Sequence, residues 1–368
     1  MPVPLFDPGT PLRPLRGEID AAIARVLDSE RFVLGPEVSA FEDEFADHLG
    51  VQHAVGVANG TEAITIALRA LGVGPGDEVV VPSFSFWASA EAIPPLGATP
   101  VFCDVDPATF CVTVDGVKAA VTSRTKAIVA VHLFGNVAPV RQLEEELGLP
   151  VVEDSAQSAG SLGPEGRPGS LGSIATFSFY PSKNLGAFGD GGAITTGDGA
   201  LAERVRQLRF HGSRDKVSYQ DVGYNSRLDE LQAAILRVQL PHLDAWADHR
   251  RAAASWYDDA LAGGRAAAAG VVTPTATDGA RPAWHLYVIR HPDPDALQQR
   301  LQARGIESRG YYRRPIDAQP AIASGGWGRT VPLPGTDVAA AEHLAIPISA
   351  AITRDQVDEV CAAIHELA

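Results

Sequence analysis

Lys183 stands just past an apolar run in "IATFSFYPSKNLGAFGDGGAITT", and the 368 residues hold only three other lysines, Lys118, Lys126 and Lys216. An amine at that place can be a solvated charge, a phosphate ligand or a covalent catalyst. Upstream, "LPVVEDSAQSAG" sets Asp154 at the end of another apolar run. Ligands of open α/β sheets bind at the carboxyl ends of strands. Read alone, Asp154 fits a solvent-facing turn acid equally well. If the two strand ends are neighbours, an amine and a carboxylate flank one pocket.

That pairing suits pyridoxal phosphate. A lysine amine condenses with the aldehyde and later moves protons as a base, while a carboxylate keeps the pyridine nitrogen protonated so that the ring takes up electrons. Arginine, the prevailing cation of this chain, can do neither. The phosphate needs an anion site, and "VANGTEAITIAL" offers a turn followed by a helix start at Gly60 and Thr61. Free N–H groups there bind phosphate, and glycine lets the backbone come close. An ordinary helix cap fits the same residues. "GDGG" at 189–192 matches no nucleotide-binding glycine pattern and reads as a tight turn.

The elements that must position these residues alternate. "HAVGVA", "EVVVPSFSF", "TPVFCDV", "KAIVAVHLFG", "LPVVED", "IATFSFY" and "GGAITT" are near-continuous apolar runs, as strands buried on both faces require. Between them "TEAITIALRAL" and "VRQLEEELG" carry apolar residues at helical spacing. The pattern predicts an α/β domain with a mostly parallel seven-stranded sheet. Residues 227–261 read as one or two helices kinked at Pro241. Beyond "AGGRAAAAG", whose "RAAAA" reads as a surface loop, come a strand "AWHLYVIR", a helix "DPDALQQRLQARGI" and a closing helix "TRDQVDEVCAAIHEL". The expected division is a large domain over 1–245, with an N-terminal helix, and a smaller α+β domain over 246–368.

Composition narrows the partners. Net charge is −15, with no basic run, so nucleic acid is not expected. No apolar stretch is long enough for a membrane span, and the N-terminus lacks the pattern of a signal peptide. Three cysteines, Cys103, Cys111 and Cys361, form neither a disulfide framework nor a metal motif. Buried thiols in a reducing cytoplasm are expected, and no metal.

Together "EDSAQSAG", "FSFYPSKNLGAFGDGGAITT" and "GYNSRLDELQAAIL" resemble the DegT–StrS family of pyridoxal-phosphate sugar aminotransferases. The likeness runs from "RFVLGPEVSAFEDEFADHLGV" to "GIESRGYYRRPIDAQPA". It implies the fold-type I aminotransferase architecture and a homodimer with shared active sites. Within that resemblance Lys183 matches the Schiff-base lysine, Asp154 the pyridinium partner and Gln157 a residue at the ring hydroxyl. Ser178 matches a phosphate-binding hydroxyl, and Gly60, Thr61 and Glu62 the phosphate-binding helix start. Phe86 matches the aromatic over the ring, with Trp87 its rival if the register slips by one. Asn225 matches an asparagine reaching the neighbouring subunit's cofactor.

The resemblance further implies glutamate as amino donor and a nucleotide-linked keto sugar as acceptor. The turn after Lys183 is most similar to the branch acting at C-3 of 3-keto-6-deoxyhexoses, dTDP-linked ones above all. Action at C-4 or on a cyclitol is the alternative. A sugar dehydratase of the same fold would carry histidine in place of Lys183, and a non-catalytic homologue would lack the lysine or the aspartate. Trp87, Tyr180, Tyr311, Tyr312 and Asp317 are the substrate-side candidates. Tyr311 and Asp317 depart from the histidines usual in that branch. Arg313 and Arg314 fit either an anionic part of the substrate or solvent.

Overall fold

A computed structural model describes residues 2–367. Every one of the seven apolar runs becomes a strand: β1 (His53–Val57), β2 (Glu78–Pro82), β3 (Thr99–Cys103), β4 (Thr125–Val131), β5 (Val151–Asp154), β6 (Ile174–Ser178) and β7 (Gly192–Thr196). They form one sheet in the order β1-β7-β6-β5-β4-β2-β3. Only β7 runs against its neighbours; the other pairings are parallel. Each position of β2 and β5 is buried, as helices on both faces demand.

The three largest interior clusters hold this frame. The largest lies beneath the sheet and takes in Val79–Val81, Ile128–Val131 and Val151–Val152. A second face packs Phe177 and Phe179 against Phe41 and Phe45 of the helix Pro36–Leu49. Phe45 meets Phe177 edge-on at 4.9 Å. Each such buried ring contributes about 2 kcal/mol. The N-terminus of that helix is capped from afar: the Glu230 carboxylate accepts the amides of Gly35, Glu37 and Val38 at 2.7–2.9 Å. A carboxylate there meets both the unsatisfied donors and the positive end of the helix dipole.

The expected kink at Pro241 is a short 3₁₀ turn, Leu240–His242, between the helices Glu230–Gln239 and Leu243–Leu261. Leu243 packs in the sheet-side interior, whereas Tyr257 and Leu261 pack in a third, C-terminal cluster. There β8 (Tyr287–Arg290) pairs antiparallel with β9 (His343–Ile346). Two expectations fail locally. "RAAAA" is not a loop: Gly264–Ala268 forms a helical turn with Ala266 buried, since alanine favours helix wherever one face finds a contact. "AWHLYVIR" pairs only in its second half, because Trp284 has φ +43° and bends the chain before β8. Among the described residues no helix is long and apolar enough to cross a membrane.

Candidate active site

Consecutive strand residues face opposite sides, and the last two of β5 illustrate it. Glu153 points into the protein and is saturated. Its carboxylate accepts the amides of Gly169, Leu171 and Gly172 at 2.8–2.9 Å and pairs with His132 Nε2 at 2.9 Å. Asp154 points the other way, into a cavity of about 530 Å³ at the strand ends. One carboxylate oxygen accepts from Ser89 Oγ at 2.7 Å and the other from the Ala156 amide at 3.2 Å. Ser89 is itself tied to Ser85 Oγ at 2.9 Å, a hydroxyl chain on the segment after β2.

Lys183 lines the same cavity. The turn that presents it is closed by its own amide donating to Tyr180 O at 2.8 Å. Its Nζ has no hydrogen-bond partner among the described residues. Burial pushes the amine down to about 8, with the Asp154 charge pulling the other way. A lysine so placed releases its proton far more readily than a surface one.

The opposite end of the floor is an anion cradle. Asn59 caps the helix Gly60–Ala70, its Oδ1 accepting the Glu62 amide at 2.8 Å. The amides of Gly60 and Thr61 have no partner among the described residues, and both residues line the cavity. Two glycines permit this closeness. A Cβ on Gly60 would lie 2.8 Å from Ser178 Cβ, and one on Gly192 would lie 2.6 Å from the Asn59 carbonyl carbon. The "GDGG" turn therefore serves packing of β7 beneath Asn59. Ser178 Oγ, at the end of β6, accepts from the Tyr180 amide at 3.3 Å.

Gln157 and Phe86 also line the cavity. Gln157 is held by Phe134 N at 2.8 Å and donates to the Tyr312 hydroxyl at 3.2 Å. Phe86 is half exposed, with its ring 6.0 Å from that of Tyr312. Tyr180, Tyr311 and Tyr312 complete the outer wall. Burial raises the Tyr312 phenol well above its ordinary value. Arg309 lies over the Tyr311 ring at 5.4 Å.

Four expected positions fall elsewhere. Trp87 packs on the large interior cluster, so the register places Phe86, not Trp87, on the cavity. Glu62 does not line the cavity; its amide is consumed by Asn59, and a carboxylate beside an anion site would be repelled. Asp317 is turned away. Its carboxylate takes Ser83 Oγ and, at 2.8 Å, Arg329 Nε, while its amide donates back to Ser83 Oγ at 3.1 Å. A short acid on the turn Ile316–Ala318 finds these donors before it can reach the cavity. Asn225 is exposed and lines an adjoining depression with Arg227, which shares Asn59 and Asp190 with the main cavity. Of the two arginines, Arg313 pairs with Asp295 at 3.0 Å and Arg314 is exposed.

Several residues in and around the site escaped sequence reasoning. Ser89 reaches Asp154 from a distant segment, and Ser85 holds Ser89 there. Asn184, directly after Lys183, was legible by adjacency alone, and His285 lay hidden inside the apparent strand "AWHLYVIR".

The chain matches the model of the DegT/DnrJ/EryC1/StrS aminotransferase family over residues 14–365. It is 46% identical to a dTDP-3-amino-3,4,6-trideoxy-alpha-D-glucose transaminase of Streptomyces venezuelae, across 100% of this chain and 96% of that protein. It is 44% identical to a pleiotropic regulatory protein of Geobacillus stearothermophilus, across 100% and 98%. Among solved structures, S. venezuelae DesV in complex with a ketimine intermediate superimposes with a TM-score of 0.94 at 45% identity, covering 99% of this chain and 98% of that one. On sequence and fold alike, the chain belongs to the DegT/DnrJ/EryC1/StrS aminotransferase family.

Proposed function

We propose that this protein is a pyridoxal-phosphate-dependent aminotransferase that moves an amino group from glutamate to C-3 of a nucleotide-linked keto sugar, a dTDP-3-keto-6-deoxyhexose. The observation that carries the reading is the unpartnered Lys183 amine facing the same cavity as Asp154. The C-3 assignment rests on the 46% identity to the S. venezuelae transaminase.

The residues present fit the cofactor. An amine without a partner, a carboxylate held by two donors, and two free helix-start amides beside a hydroxyl are the donor set it needs. When bound, pyridoxal phosphate supplies an aldehyde that condenses with amines and a protonated ring that accepts electrons. Asp154 would hold the proton on the ring nitrogen, its geometry fixed by Ser89 and Ala156. Gly60, Thr61 and Ser178 would bind the phosphate, Gln157 would meet the ring hydroxyl, and Phe86 would cover the ring. Lys183, released when donor or acceptor enters, would carry the proton at its Nζ between substrate carbon and cofactor. Burial, which lowers the affinity of this amine for its proton, suits it to act as a base.

The reading includes a cytoplasmic homodimer, with Asn225 of each subunit serving the other's site. Its exposed position beside the shared residues Asn59 and Asp190 supports this. It also includes a large domain over 1–245 and a small one over 246–368, supported by the passage of Leu243–Leu261 from one interior cluster to another. The regulatory name of the G. stearothermophilus relative does not displace catalysis, since the amine and the carboxylate are both in place. The test is conversion of a dTDP-3-keto-6-deoxyhexose and glutamate to the 3-amino sugar and 2-oxoglutarate. Turnover only of a 4-keto sugar or a keto-cyclitol would contradict the C-3 assignment.

A further inference from the structure

Asn184 ties the lysine turn to the C-terminal part of the chain. Its Nδ2 donates to the carbonyls of Ala159 at 3.2 Å and Ala283 at 3.3 Å. Two carbonyl partners identify that atom as the nitrogen. The atom facing His285 Nδ1 at 3.3 Å is then the amide oxygen, which only accepts. Nδ1 must therefore carry the hydrogen, and Nε2 of the neutral ring bears a lone pair.

That lone pair is unspent. His285 is only 4% exposed and lines the cavity together with Lys183, and its Nε2 has no partner among the described residues. Lys183 Nζ brings donors without an acceptor to the same space. The ring is not free to wander. Gly135, at φ +92°, packs so closely under this segment that an added Cβ would lie 2.8 Å from the amide nitrogens of both Trp284 and His285. The Ala283 amide donates to Gly135 O at 3.1 Å.

Burial, reinforced by two cations, keeps the imidazole unprotonated. Lys183 lines the same cavity, and Arg250, buried and donating to Trp284 O at 3.1 Å and Ile348 O at 3.4 Å, is a second cation close enough to act on the ring. Asp154 lies further along the cavity. Burial first, then the two cations, holds His285 well below the ordinary imidazole range.

We propose that His285 is a positioning residue for Lys183: a neutral imidazole, fixed as the Nδ1–H tautomer by Asn184, whose Nε2 accepts an N–H from the freed Lys183 amine. Accepting that hydrogen aims the amine's own lone pair toward the substrate carbon. No proton is transferred to the ring, so no further acid or base is required. The inference rests on Lys183 being the reacting amine, but its first readout does not.

The experiment uses the full chain labelled with ¹⁵N-histidine and loaded with pyridoxal phosphate. Two-bond ¹H–¹⁵N correlation, with His285 assigned by His285→Gln, is expected to report a neutral Nδ1–H ring from pH 6 to 9. An Nε2–H tautomer, or an imidazolium in that range, overturns the proposal whatever the substrate. Kinetics form the second arm. His285→Phe keeps the volume and removes the acceptor, and is expected to lower kcat on the order of 10²-fold, as misaimed reacting groups do, with KM within about threefold. His285→Gln, which returns an acceptor oxygen, is expected to recover at least about tenfold of that loss. An unchanged kcat in His285→Phe, or a rise in KM alone, overturns the positioning role. If Lys183→Ala retains full turnover, the reading of the lysine fails instead, and the tautomer measurement still stands by itself.

Discussion

The floor of the cavity is made at the ends of β5 and β6 and at the start of the helix Gly60–Ala70, whereas its outer wall is the segment from Arg309 to Tyr312. On the floor, the functional groups sit on or directly beside regular elements: Asp154 closes β5, Ser178 closes β6, Gly60 opens the helix, and Lys183 stands on the short turn that follows β6. The wall belongs to a stretch with little regular structure of its own. Downstream, Asp317 pins that stretch to Ser83, 234 residues away, and to Arg329. Chemistry built on regular elements can stay fixed while a loop on separate anchors is free to vary. This is why Tyr311 and Asp317 can depart from the usual histidines without disturbing Lys183 or Asp154.

The comparison breaks if floor residues prove dispensable. Lys183→Ala is expected to lower amino transfer by ~10⁴-fold or more, measured by chromatography of the amino-sugar product, because both the covalent link and the proton carrier are lost. Asp154→Asn keeps the shape and removes the charge. It is expected to cost ~10²-fold in kcat, with the visible cofactor spectrum altered while secondary structure stays the same.

The wall and the ring cover should respond more gently. Phe86→Ala is expected to weaken cofactor binding about tenfold, ~1.4 kcal/mol, in a fluorescence titration. Trp87→Ala is expected to lower thermal stability while leaving that affinity unchanged. The reverse pattern would place the aromatic cover one residue later. Asp317→Ala is expected to cost ~1–3 kcal/mol of stability by denaturant titration, since it strands Ser83 and Arg329, yet to change kcat by no more than about threefold. A large kcat effect with normal stability would return Asp317 to the sugar site.

Titration of the lysine sharpens the account further. In the cofactor-free chain the folded Lys183 amine gives up its proton near 8, against 10.5 for an ordinary lysine. Between those values the unfolded chain holds more protons than the folded one. This group's penalty on stability is therefore full below about 8 and relieved as pH rises toward 10.5. The pH profile of Lys183 acylation, followed by peptide mass, is expected to have its midpoint near 8. A midpoint at the ordinary lysine value would mean that the cavity does not desolvate the amine.

Much of the floor was legible in the sequence because it is local. Apolar runs of strand length marked all seven strands, and the scarcity of lysine left few candidates for the amine. What could not be read is what crosses the chain. Ser89 reaches Asp154 over 65 positions, and Ser83 reaches Asp317 over 234, pairings that no periodicity signals. His285 was concealed for another reason. Its apolar neighbours read as a strand, while the left-handed turn at Trp284 that precedes it leaves no mark in residue type.

The most direct test fixes the cofactor where it is bound. The protein is loaded with pyridoxal phosphate, reduced with borohydride, digested and mapped by mass spectrometry. The account predicts a pyridoxyl-phosphate adduct on the peptide carrying Lys183 and on none carrying Lys118, Lys126 or Lys216. Stoichiometric modification of one of those three, or no modification at all, would contradict it.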